Sequence, residues 1–110
     1  METITISKER VLQLIYDAID ELNPTLKPDR QVEKAPDTVL FGEGSTLESL
    51  GLVSLIVGTE QRVADDLGVT ITIVNEKAMS MRNSPFRTVE TLTEYVTELI
   101  AEETSAAAVL

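Results

Sequence analysis

Leu47-Glu48-Ser49-Leu50-Gly51-Leu52-Val53-Ser54-Leu55-Ile56 is the stretch on which the reading of this chain turns. It follows a segment broken by Pro24, Pro28, Pro36, Gly42 and Gly44, and here the pattern becomes helical and runs on over 47–67. Val53, Ile56, Val57, Val63 and Leu67 share one side of that helix, and Gly68 is a natural stop for it. Gly58 lies inside and costs about 1 kcal/mol relative to Ala. The simplest return on that cost is the close approach of a second helix.

Working outward, Ser7 is a suitable N-cap for an earlier helix in which Val11, Ile15, Ala18 and Leu22 recur at helical spacing, flanked by Leu12, Leu14 and Ile19. Asn23-Pro24 ends it. The connection over 24–46 exceeds the usual length, and Val39, Leu40 and Phe41 near its end read as an apolar anchor to the core. Downstream, 69–74 alternates like a strand. With no second strand to pair it, the segment is expected to be an extended connector with Ile71 and Ile73 inward. A short helical turn is predicted over 75–81, then a turn at Asn83-Ser84-Pro85. The final helix opens at Thr88, with Leu92, Val96, Leu99 and Ile100 as its buried stripe. Residues 105–110 form a small-residue tail with nothing to pack it, expected to be disordered, which leaves 1–104 as a single domain. The expected architecture is all-α: a four-helix bundle with a long loop between helices one and two and a short third helix.

Composition narrows the function. At 110 residues one core is expected, and 43% apolar with only 4% aromatic residues makes that core aliphatic, which favours packed helices. The formal net charge of −10 repels phosphate backbones and argues against nucleic-acid binding. There is no Cys and no His, so disulfides, thiol chemistry and an imidazole base for any serine are excluded. No run has the alternating ligands and central Gly of a calcium loop. Chemistry is therefore expected to come from an attached group, the chain itself being no enzyme. No apolar run approaches membrane-spanning length, and the N-terminus lacks a basic, signal-like start. A cytoplasmic monomer is expected.

The quoted stretch resembles the attachment motif of acyl and peptidyl carrier proteins. In that family an Asp-Ser-Leu opens the second helix, and an apolar residue and a Leu follow four and six places after the Ser. Glu48-Ser49-Leu50 with Val53 and Leu55 occupy those positions here, and Glu60 stands where the family's second helix often carries an acid. Leu40-Phe41 is similar to the loop phrase before the motif, and Thr88-Val89 to the start of the family's fourth helix. The resemblance covers roughly residues 8 to 101. It implies a 4'-phosphopantetheine arm on Ser49 that holds an acyl or aminoacyl group as a thioester. It also implies partners: a phosphopantetheinyl transferase, an acyl-loading ligase or acyltransferase, and condensing or modifying enzymes of fatty-acid, polyketide or related biosynthesis. Two departures stand out. Glu48 replaces the family's Asp, and Gly51 and Ser54 occupy positions often acidic in fatty-acid carriers, which argues against docking to a general fatty acid synthase.

The placement has a physical basis of its own. A phosphodiester at a helix N-terminus faces unpaired N–H groups and the positive end of the dipole, a gain of a few tenths to about 1 kcal/mol. Other readings exist. Ser45-Thr46-Leu47-Glu48 fits a capping box with Ser45 as N-cap and Glu48 as N3, compatible with attachment next to it. Ser54 is the rival attachment serine, without an acid before it. The chain could also be a carrier-like interaction module that is never modified. Gly58, Met79 and Met81 could line an acyl cleft between helices two and three, although ordinary packing explains each of them more simply. Glu90, Glu94, Glu98 and Glu102 recur every four residues as a solvated face rather than a docking stripe.

Overall fold

The computed structural model describes residues 7–42, 44–45, 47–74 and 84–109, without the side chains of Ser49 and of 105–109. Three α-helices are present among them: α1 (Lys8–Leu22), α2 (Ser49–Leu67) and α3 (Val89–Val109), with 3-10 turns at Asn23–Thr25 and Pro28–Arg30. No strand accompanies them, only an isolated antiparallel bridge between Val39 and Thr88. The fold class is all-α. The short helix expected over 75–81 lies outside the described residues, as do Met79 and Met81.

Ser7 begins α1 as the sequence suggests: extended at φ −78° and ψ 150°, its side chain accepts from the Arg10 N–H. Val11, Leu14, Ile15, Ala18, Ile19 and Leu22 form its buried face. Packing joins α1 to both α2 and α3, so α1 is the common partner of the described helices. The contact with α2 passes through the smallest residues: a Cβ built on Gly58 would lie 3.8 Å from the Cβ of Ala18. Gly58 therefore admits a neighbouring helix, and the helix is α1.

The long connection is held at both ends. The Asn23 side chain clamps Val32, its Oδ1 accepting from the Val32 N–H at 2.8 Å and its Nδ2 donating to the Val32 carbonyl at 3.0 Å. Val32 is buried as a result. At the far end Leu40 N–H donates to the Arg87 carbonyl, while Val89 and Glu90 donate to the carbonyls of Thr38 and Pro36. Those bonds occupy N–H groups that the start of α3 would otherwise leave unpaired. Thr88 and Thr91 complete the cap reciprocally, each hydroxyl accepting from the other's N–H. The expected apolar anchor is narrower than predicted: Leu40 is fully buried, but Phe41 is 52% exposed.

In α2 the buried side differs from the sequence reading. Leu55, Ile56, Thr59 and Val63 are buried, whereas Val53 and Val57 face solvent. Of the expected side, Ile56 and Val63 are buried and Leu67 packs against the core, while Val53 and Val57 do not, their places being taken by Leu55 and Thr59. Thr59 is tolerated inside because its hydroxyl donates to the Leu55 carbonyl at 2.8 Å. Gly68 ends the helix at φ 67°, its N–H on the Ala64 carbonyl. The connector beyond it turns Ile71 and Ile73 into the core as expected, and Ile73 N–H donates to Glu60 Oε2 at 2.7 Å. Glu60, matched above to a family acid, thus ties the connector to α2.

The sequence predicts an unpacked tail from Ser105, but the backbone stays helical through Val109. The alanines at 106–108 have the highest helix propensity of any residue. On the face of α3, Lys8 from α1 reaches Glu94 at 3.0 Å and Glu90 at 3.9 Å, offsetting repulsion along the acidic row. No described helix is long and apolar enough to cross a membrane.

The Gly58 contact yields a direct prediction. A methyl there meets Ala18 at ordinary van der Waals distance while removing the helix penalty of glycine. Gly58→Ala should raise stability by about 0.5–1 kcal/mol in a denaturant titration. A destabilised variant would show that α1 and α2 are closer than the backbone geometry indicates.

Candidate functional site

Helix α2 opens at Ser49, with Glu48 as an extended N-cap at φ −78° and ψ 162°. The first bond within the helix runs from Leu52 N–H to the Glu48 carbonyl at 2.9 Å. The N–H groups of Ser49, Leu50 and Gly51 therefore have no partner inside the helix. Glu48 offers no side-chain capping bond to them. A short Asp or Ser at that position would fold back onto the N2 or N3 amide, whereas Glu is one methylene longer.

The expected capping box does not form. Ser45 lies outside the helix, accepting from the Leu47 N–H at 3.1 Å and donating to the Leu40 carbonyl at 2.9 Å. Its hydroxyl closes the loop instead of the helix. The turn before it uses Gly42 at φ 94° and Gly44 at φ 91°, left-handed values that would strain other residues. Ser45 N–H reaches the Gly42 carbonyl at 3.1 Å, fastening this turn to the buried Leu40. The start of α2 is thereby tied through Leu40 to the start of α3.

Ser54, the rival serine, is exposed in the second turn of α2, where backbone N–H groups are already used within the helix. Gly51, at a position often acidic in fatty-acid carriers, has a packing role. It is buried beneath Leu47, and a Cβ there would stand 2.6 Å from Leu47 Cδ1. Leu47 itself packs against the core.

The exposed side of the first half of α2 is mostly apolar. Leu50 is 77% exposed, Val53 54% and Val57 44%, at spacings of three and four residues. No charged residue occurs over 49–59. The outer face of the first half of α2 is thus uncharged in a chain that is otherwise strongly acidic. Among the described residues no group of three or more acidic side chains is arranged to hold a metal ion.

On the other flank of the helix start lies a cleft of about 420 Å³ that the sequence reading missed. Leu22, Thr25, Leu26, Lys27 and Arg30 form one wall, and Leu47, Glu48, Leu50, Gly51 and Ser54 the other. The only signal for it in the sequence is a pair of cations three residues apart, among prolines, in an acidic chain.

Comparison with family models, with curated proteins and with solved structures found no match to this chain. The resemblance to carrier proteins therefore rests on the residues quoted above.

Three substitutions probe the helix start. Glu48→Asp should stabilise the fold by about 0.5–1 kcal/mol, because a short carboxylate caps an uncapped helix. Gly51→Asp should cost about 1–3 kcal/mol by displacing Leu47, while Ser54→Asp, on the exposed face, should stay within about 0.5 kcal/mol. Thermal melts of the three variants read both effects, and equal melting of Gly51→Asp and Ser54→Asp would contradict the packing of Leu47 on Gly51.

Proposed function

We propose that this chain is a non-catalytic carrier whose 4'-phosphopantetheine arm is attached to Ser49. The observation that carries the reading is the coincidence of two independent features at one residue. Ser49 is the serine of the carrier-like motif, and it is also the first residue of α2, at a helix start whose first N–H groups have no partner inside the helix and no capping bond from the Glu48 side chain. A phosphodiester there gains from those amides and from the helix dipole. In the attachment step the Ser49 hydroxyl oxygen bonds to the pantetheine-bearing phosphorus of coenzyme A. The bond from that phosphorus to the adenosine bisphosphate breaks, and the hydroxyl proton is lost. The arm's terminal thiol then holds the cargo as a thioester, chemistry that a chain without Cys could not supply itself.

This reading includes a short helix over 75–81 that completes a four-helix bundle, and a cytoplasmic setting with the loading and condensing partners named above. The neutral face of Leu50, Val53 and Val57 supports partners that dock by apolar contact, not through the acidic helix of fatty-acid carriers. The same face favours the second reading, an unmodified interaction module.

Intact-mass measurement after incubation with coenzyme A and a phosphopantetheinyl transferase separates the two. The parent and Ser54→Ala should each gain one phosphopantetheine, and Ser49→Ala none, with circular dichroism showing that each variant is folded. Modification of Ser49→Ala but not of Ser54→Ala would move the site. No gain on any of the three with several transferases would favour the interaction module.

A further inference from the structure

The cleft beside the start of α2 combines three properties seldom found together on so acidic a chain. Its volume of about 420 Å³ lies within the ~300–1,000 Å³ typical of small-molecule sites. Leu22, Leu26, Leu47 and Leu50 give it an aliphatic lining. Lys27 and Arg30 stand together on one wall, both exposed, and neither forms an ion pair among the described residues. The other described cations of the helices and the long connection, Lys8, Arg10, Lys34 and Arg62, are each paired with a carboxylate. Glu48 on the facing wall is the one acid in the lining, and it directs an incoming anion toward the Lys27 side.

Two free cations over an aliphatic floor are complementary to a molecule with an anionic head and a short hydrocarbon body. We propose that this cleft is a binding site for a small amphipathic anion, with a carboxylate or phosphate head on Lys27 and Arg30 and an aliphatic body against Leu22, Leu26, Leu47 and Leu50. Selectivity follows from the surroundings. A net charge of −10 disfavours anions everywhere else on the surface, and the leucines disfavour small hydrophilic ions. The site needs no group on Ser49, so it stands or falls separately from the carrier reading.

The test uses the full-length, unmodified protein and follows its backbone amides by nuclear magnetic resonance. Octanoate, octyl phosphate and the neutral octanol are titrated below their aggregation limits. Binding of either anion should shift amides over 22–30 and 47–54, with octanol about tenfold weaker, as expected for loss of the charge-assisted contacts. The double variant Lys27→Gln, Arg30→Gln should weaken the anion by about tenfold and leave octanol unchanged. Lys8→Gln with Lys34→Gln makes the same change in net charge away from the cleft and should retain anion affinity, and circular dichroism checks both folds. Octanol binding as tightly as the anions, shifts centred elsewhere, or equal anion affinity in the cleft variant would each overturn the proposal.

Discussion

The backbones of α1 and α2 meet where Ala18 faces Gly58, a contact that leaves 3.8 Å between one methyl and the place where another would be. A methyl fits at Gly58, but side chains larger than alanine at either position would push the helices apart and loosen the aliphatic cluster that both helices share. Because α1 packs against both other described helices, its position governs the whole core. The cross-link from Arg62 to Glu21, at 2.6 Å, spans the same two helices from the solvent side. It is a surface pair and contributes little next to the buried aliphatic contacts.

Given that core, the position of Ser49 follows from a chain of local constraints. Asn23 ends α1 and fixes Val32, which holds the first half of the connection close to the helix it leaves. The second half is pinned at 36–40 to the first turn of α3 and then reversed by two left-handed glycines. Ser45 returns a bond to Leu40, and Leu47 settles over Gly51. Only after these contacts are made does the backbone become helical, at Ser49. A connection with so many side-chain bonds to its own carbonyls is an ordered structure, and its length serves to bridge α1, α2 and α3 together.

How much of this the sequence disclosed depends on whether the deciding forces are local. Ser7, Asn23-Pro24, Gly68 and Thr88 act on their immediate neighbours, and each marks an element end where expected. Ile71 and Ile73 were also legible, since alternation without a partner strand leaves an inward-facing connector. The orientation of α2 was not. Over 49–59 there is no charge to mark the solvent side, so Val53 and Val57 have the same pattern as a core stripe while the polar Thr59 is buried. Ser45 misleads for a related reason: its hydroxyl has a carbonyl five residues back within reach, and nothing in the spacing favours the helix over that carbonyl. The cleft was hidden because its walls come from two separate segments, 22–30 and 47–54, that only the folded connection brings together.

The first turn of α2 thus separates two unlike surfaces. On one flank Leu50, Val53 and Val57 present a neutral aliphatic strip; on the other, Lys27 and Arg30 overlook a leucine-lined hollow. Leu50 belongs to both, standing mostly in solvent while lining the cleft. A ligand in the hollow would cover part of Leu50 and so reduce the apolar area left for a docking partner. Conversely, a partner seated on the strip would close the mouth of the hollow at that residue. Leu50 is thus the one side chain through which a ligand in the hollow and a partner on the strip would compete, and linkage would make that effect equal in both directions.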